Sequence, residues 1–358
     1  MAINATEVRG LFTKALVEVL DIKPSPTLFL KGFFKTKTTS AKNVSIEVRR
    51  NGEPIAVDVL RGTQGNLNRW DKSTEKIITP PYFDERFFLN ELDGYDRIFG
   101  GQQEISGDAF AMVVSEAADK IQMLKDKINR RYELMAAQVM QSGIVTLVSG
   151  DNIDFKRRAA SKAVLAAGDR WSVATVDPDV VLEEGAKFIR TQGLYNGGVF
   201  NVIVGSKAWN AFVNNPIRQK KYDIRSFALG QLNTPIQMGA GSTFLGQAAA
   251  GSYVFNFWGY EQYYNPAGTD VTGKLPYVAA NQIIMLPDSY SFTFAYGGVP
   301  QIRRGSPDMP EYVSYAPGEF VIDNYVDHRN SNHEFAVKSA GIPIPTQVDA
   351  IFNKQVVE

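Results

Sequence analysis

From Asp108 to Ser142 the chain carries neither glycine nor proline. Apolar residues recur within this run at Phe110, Val114, Ala117, Ile121, Leu124 and Ile128, in steps of four and three. That spacing marks one face of an α-helix. Tyr132, Met135 and Val139 continue the stripe after a slip. Ser106 is placed to cap the helix and Gly143 to stop it. At about 1.5 Å rise per residue such a helix would be roughly 50 Å long, more than the diameter of a small domain. A coiled coil would require a sustained heptad with patterned charge beside the seam. The slip and the irregular flanking charges predict instead a long helix lying against a sheet.

Strands dominate the rest. "GIVTLVSGDNIDFKR" reads as a short hairpin. "DPDVVLEEGAKFIRTQG" reads as a helix with Asp177 as cap, Pro178 in the first turn and Gly193 as stop. "GGVFNVIVG" predicts a strand, and "SKAWNAFVNN" and "RQKKYDIRSFAL" predict helices. "SYVFNFWGYEQYY", "NQIIMLP", "YSFTFAYGGV", "EYVSYAPGEFVIDNYV", "HEFAVKSAGIPIP" and "TQVDAIFNKQVV" predict further strands. The class is α+β, and at 358 residues two compact units are expected. The N-terminus, with Val8, Leu11, Phe12, Ala15, Leu16 and Val19 as its stripe, reads as an amphipathic helix. Leu28, Phe29, Leu30, Phe33 and Phe34 follow as a greasy patch on an extended arm.

The stretch from Asn43 to Gly62 reads as a hairpin turning at Asn51-Gly52, where both central residues require positive φ. That turn would set Val48 against Ile55, Ile46 against Val57 and Val44 against Val59. Three apolar pairs then share one face, and a lone two-stranded ribbon is marginal in water. Either the chain's own core or another subunit must cover that face. The next stretch, ending at Pro80-Pro81, reads as a long polar excursion.

Lys plus Arg and Asp plus Glu balance at 38 each. This argues against a strongly basic nucleic-acid surface or a polybasic membrane anchor. There is no cysteine, which excludes disulfides, thiolate catalysis and Cys-ligated metal. No apolar run approaches the roughly 18 residues that suggest a membrane span. The only two histidines, His328 and His333, stand in "DNYVDHRNSNHEF", which reads as a loop with surface histidines rather than a zinc site. "GAGSTFLGQAAAG", Gly239 to Gly251, lacks the Gly-Lys-[Ser/Thr] ending of a phosphate loop and reads as a flexible loop. The aromatic cluster Phe255, Phe257, Trp258, Tyr260, Tyr263 and Tyr264 has no basic surround to make it a base-stacking platform. It is expected in a core or a subunit interface. No catalytic, cofactor-binding or metal-ligating constellation emerges.

The order of these elements resembles the major capsid proteins of lambda-like tailed phages, the phage major capsid protein E family, which have the Hong Kong 97-type fold. "RRYELMAAQVMQSG" looks like the end of that family's spine helix, and "GGVFNVIVGSKAWNAFVNN" like the strand–helix unit of its axial domain. "LPDSYSFTFAYGGV" resembles the exit from that domain, and "HEFAVKSAGIPIPTQVDAIFNKQVV" the closing strands of the peripheral domain. The resemblance implies an N-terminal helix and arm over 1–35 and an extended hairpin loop over 36–80. It implies a peripheral domain over 81–175 with the spine helix at about 108–142, an axial domain over 176–298, and a return to the peripheral domain over 299–358. The implied function is that of a structural head protein, not an enzyme, forming hexamers and pentamers of an icosahedral shell around DNA that is held without sequence-specific binding. Inter-subunit contact would fall on the hairpin face (Val44, Ile46, Val48, Ile55, Val57, Val59) and the arm (Leu28, Phe29, Phe33, Phe34). A scaffolding protein, a portal and a decoration protein are the implied partners, with assembly in the bacterial host cytoplasm and no cofactor or membrane. A nanocompartment shell of the same fold, and a soluble binding protein or enzyme, are the alternatives.

Overall fold

The computed structural model describes residues 26–48, 74–90, 107–147, 151–224, 236–238, 241–266, 273–289, 292–303, 312–327 and 332–358. The described chain begins with a 3-10 turn (Lys31–Phe33), β1 (Phe34–Thr38), β2 (Val44–Val48), β3 (Thr74–Ile78) and β4 (Tyr82–Asn90). Helix α1 (Gly107–Gln141) leads to β5 (Ile144–Thr146) and β6 (Asn152–Asp154). Next come α2 (Pro178–Thr191), β7 (Val199–Val204), α3 (Ser206–Val213) and α4 (Pro216–Ile224). Strands follow: β8 (Ile236–Met238), β9 (Ser242–Ala250), β10 (Tyr253–Gly259), β11 (Tyr263–Tyr264), β12 (Leu275–Pro276) and β13 (Gln282–Pro287). The last are β14 (Phe292–Tyr296), β15 (Val299–Arg303), β16 (Tyr312–Ala316), β17 (Val321–Asp327), β18 (Asn332–Ile344) and β19 (Phe352–Gln355).

The chain divides into two compact units. The smaller comprises Met1–Pro26, Phe83–Asn129 and Phe320–Ser339; the larger comprises Thr27–Tyr82, Arg130–Glu319 and Ala340–Glu358. In the smaller, β17 runs antiparallel to the first part of β18, Asp327 opposite Asn332 and Val321 opposite Lys338. Strand β4 also pairs with β18. Phe87 stacks on Phe335 at 5.0 Å, and Lys338, nearly buried, is neutralised by Asp323 at 2.6 Å. The described residues of the segment with the two histidines, 323–327 and 332–335, are therefore strand. His333 lies in β18 opposite Val326, while His328 is outside the described residues. Its polar composition hides a hairpin in which pairing, not local preference, sets the conformation.

The larger unit is built on a six-stranded sheet in the order β19-β13-β7-β10-β9-β8. Strands β7 and β10 are parallel; the other neighbours are antiparallel. Alternate residues Phe200, Val202 and Val204 of β7, Phe255 and Phe257 of β10, and Ile283 and Met285 of β13 enter one apolar cluster. Helices α2 and α3 close that cluster with Val181, Leu182, Ala186, Ile189, Ala208 and Phe212. Helix α2 begins as expected: Asp177 accepts a hydrogen bond from the Asp179 N–H and Pro178 opens the first turn. Gly185 lets the helix approach closely, since a Cβ there would stand 2.8 Å from Phe352 Cδ1.

The described residues 241–251, within the stretch expected to be a flexible loop, do not form one. Ser242–Ala250 is a full strand between β8 and β10. Gly246 (φ +141°) pairs with Phe257 and Phe244 with Trp258, so Leu245 is the extra residue of a bulge. Glycine and alanine carry little strand preference of their own, and two neighbouring strands supply it here.

Helix α1 matches its expected span to within a residue. Gly143, at φ +74°, ends it by donating to the carbonyls of Gln138 and Val139. Tyr132, Met135, Ala136, Ala137, Val139 and Met140 are all buried, so the last turns are enclosed on several sides. Tyr132 meets the rings of Phe294 and Tyr296 on β14, which is the expected packing of helix on sheet. Gly341 leaves room for those rings.

Candidate assembly surfaces and their anchoring

Four two-stranded ribbons in the larger unit pair with no further strand among the described residues: β2–β3, β5–β6, β11–β12 and β15–β16. The first carries half of the expected hairpin face. Val44 is half-buried and pairs with Ile78; Ile46 lies opposite Lys76 and Val48 opposite Thr74. The observed partner of β2 is thus Thr74–Ile78, within the stretch expected to be a long excursion. A turn at Asn51-Gly52 is not what joins these two strands, since it would lay Val48 opposite Ile55. Ile55, Val57 and Val59 lie outside the described residues, as do Asn51 and Gly52. A turn signal identifies only a nearby partner, and a distant one leaves no mark in the local sequence. Ile77 is 65% exposed, while Ile78 is buried. On β15–β16, Val313 and Tyr315 are likewise exposed.

The arm residues are docked onto their own chain rather than extended. Leu28, Phe29 and Phe33 are half-buried, and Leu30 and Phe34 are buried. Phe29 lies 5.3 Å from the Tyr260 ring and 5.9 Å from that of Trp258. Phe34 opens β1, which runs parallel to β14, and packs on Phe292 and Phe294. The greasy patch is thus largely spent on the fold of the larger unit, and Leu30 and Phe34 have least to offer a neighbour.

Glu133 of α1 anchors this segment. Its carboxylate accepts the N–H groups of Leu30 (2.8 Å) and Lys31 (3.0 Å) and the hydroxyl of Tyr260 (2.7 Å). Tyr260 also contacts Thr27 Oγ1 at 2.8 Å. The side chain of Lys31 pairs with Glu319 and lies over the rings of Tyr132, Phe294 and Tyr296. Burial raises Glu133 to about 7, against the pull of its three hydrogen bonds. The Tyr260 phenol is pushed up by burial and by the adjacent carboxylate.

Arg157 anchors the end of the same helix. Its Nη1 donates to the carbonyls of Met140 (2.7 Å), Val139 (3.3 Å) and Gln141 (3.3 Å). Its Nη2 donates to Ser161 (2.9 Å) and Ile351 (3.0 Å). The guanidinium thereby satisfies the last helix carbonyls at the negative end of the dipole. Burial lowers it to about 10, so it stays charged at neutral pH. Neither residue was singled out by sequence reasoning. Glu133 on an apolar stretch of helix was the available signal.

The aromatic cluster divides between settings. Phe255 and Phe257 belong to the core, Tyr260 to the Glu133 anchor, and Tyr263 is 55% exposed. A cavity of about 530 Å3 opens where β7 and β10 end, lined in part by Ser206, Trp209, Asn210 and Glu261. Among the described residues its lining offers Ser206 no imidazole or amine as a base. Among the described residues no group of three or more His, Asp or Glu is placed to hold a metal, and no helix is long and apolar enough to cross a membrane.

A long helix beside a sheet, a second sheet with flanking helices and several two-stranded ribbons describe a subunit of the Hong Kong 97 type. The family comparison agrees: residues 12–356 match the model of phage major capsid protein E, and the chain belongs to that family. It is a structural protein of the virion capsid, and its family assembles into multi-subunit shells. A capsid protein from a prophage of E. coli CFT073 is similar in structure, with a TM-score of 0.61 at 16% identity over 100% of both chains. The capsid subunit of cyanophage A-1(L) gives 0.52 at 12% identity over 96% of both chains. An encapsulin complex from Synechococcus elongatus PCC 7942 gives 0.47 at 11% identity, covering 100% of this chain and 97% of that one. No curated protein matches the sequence.

Proposed function

We propose that this subunit forms the hexamers and pentamers of an icosahedral head enclosing DNA, and that a neighbour covers the ribbon begun by β2 and β3. The observation that supports this is the ribbon itself. It pairs with no other strand among the described residues and exposes Ile77, although two strands alone are marginal in water. Val44, Ile46, Val48, Ile55, Val57 and Val59 are the proposed contact face, with Leu28, Phe29 and Phe33 contributing from the arm and Phe34 holding the arm in place. The proposed divisions are 1–35, 36–80, 81–175, 176–298 and 299–358. A scaffolding protein, a portal and a decoration protein are the proposed partners, with assembly in the host cytoplasm. Zero formal net charge suits a wall that contains DNA without gripping it.

The test is Ile46→Asp and Val57→Asp, followed by light scattering and negative-stain electron microscopy with a coexpressed scaffold candidate. Both variants are expected to fold and to fail to form shells, because each would bury a charge at the contact. Normal shells from either variant would sink the assignment of this face.

A further inference from the structure

We propose that Glu133 is a latch holding residues 27–31 against α1, and that docking of this segment is coupled to binding of a proton at the Glu133 carboxylate. The latch lies within one chain and does not depend on what the arm meets beyond it.

The geometry has three parts. The carboxylate is fully buried, and the three hydrogen-bond donors that reach it are neutral: two backbone N–H groups and one phenol. The nearest cation on the docked segment, Lys31, pairs with Glu319 instead, and Tyr296 donates to that same Glu319. Two of the three donors, from Leu30 and Lys31, belong to the segment that is held. Lifting it would remove them together with the cover it provides, leaving Glu133 with Tyr260 and water.

Among the described residues the titratable and charged groups around the carboxylate are few. Lys31 comes from the docked segment, Tyr260 from the end of β10 and Tyr277 from the stretch before β13. Arg130 of α1 and Tyr264 act on Tyr277. Tyr132 and Tyr296 line the Lys31 side chain. Of these, only Lys31 supplies a positive charge that favours the ionised carboxylate, and burial outweighs it. A carboxyl group that titrates at about 7 when covered and near 4.5 when free takes up a proton on docking between those values. Docking is then tightest in mild acid and loosens as pH rises toward 7. The full span corresponds to a change on the order of a hundredfold in the docking equilibrium.

Hydrogen exchange on the full-length, unassembled protein tests this, read by mass spectrometry on the peptide spanning Leu30 and Lys31 and corrected for intrinsic rates. Between pH 5 and pH 8 its protection is expected to fall ten- to a hundredfold, while the amides of β7 hold theirs. Glu133→Gln is expected to abolish the pH slope. Should that variant fail to fold, Tyr260→Phe supplies the answer: it removes a donor that favours the charged form, so the midpoint is expected to move to higher pH. Flat protection in the wild type, a parallel loss in β7, an unchanged slope in Glu133→Gln or an unmoved midpoint in Tyr260→Phe each overturns the latch.

Discussion

Two buried ionisable groups secure the C-terminal half of the spine helix α1, and their surroundings differ. Arg157 meets five carbonyl oxygens, three of them at the negative end of a helix, so its charge is matched by partial charges even though burial disfavours it. Glu133 meets only three neutral donors in mid-helix, and burial prevails. The first arrangement is a permanent fixture that ties helix end, following loop and C-terminal strand region together. The second is adjustable, because its protonation state lies close to balance at neutral pH. The number and orientation of the surrounding dipoles, not depth alone, decide whether a buried group is structural or responsive.

Removing the guanidinium should have the largest effect. Arg157→Ala leaves the carbonyls of Val139, Met140, Gln141, Ser161 and Ile351 to find other partners, and a loss of about 3 kcal/mol or more is expected in urea unfolding. Arg157→Lys should recover only part of this, since an ammonium has three donors on a single atom. A loss below about 1 kcal/mol would show that water replaces the side chain without difficulty.

The next effect separates the two groups by pH. The folded Glu133 carboxyl titrates at about 7 and the unfolded one near 4.5, so the folded state holds the extra proton between them. The stabilisation is complete below 4.5 and is lost as pH rises through 7, on the order of 3 kcal/mol in all. Thermal melts of wild type against Glu133→Gln should therefore diverge across pH 4.5–7, with the wild type losing ground as pH rises. Parallel curves would place Glu133 with Arg157 as a fixed structural group.

Gly143→Ala should come third. A Cβ there would stand 2.6 Å from Arg157 Cδ on a backbone at φ +74°. Strain and displacement of the guanidinium together are expected to cost about 1–2 kcal/mol by chemical denaturation. The smallest effect is expected from Tyr260→Phe, about 1 kcal/mol at pH 7, shrinking when combined with Glu133→Gln in a double-mutant cycle.

Much of the fold was legible locally. The glycine- and proline-free run with its three–four periodicity marked α1 almost to the residue, because a helix forms its hydrogen bonds within one segment. Asp177 and Pro178 marked the start of α2 for the same reason. The apolar run "VFNVIV" marked a strand whose Phe200, Val202 and Val204 do enter the core. Half of the proposed contact face was also legible as strand, since Val44–Val48 forms β2.

What the sequence determined by itself was the α+β class, the long helix, the caps and most strands, since each depends on neighbours a few residues apart. The tertiary structure decided the rest. It paired Val44–Val48 with Thr74–Ile78, made a strand of the glycine- and alanine-rich Ser242–Ala250, and turned the greasy arm inward onto Trp258, Tyr260 and Phe292. It also gave Glu133 and Arg157 their opposite surroundings, because hydrogen-bond partners as far as 194 residues away for Arg157 and 102 to 127 away for Glu133 leave no trace in a local window.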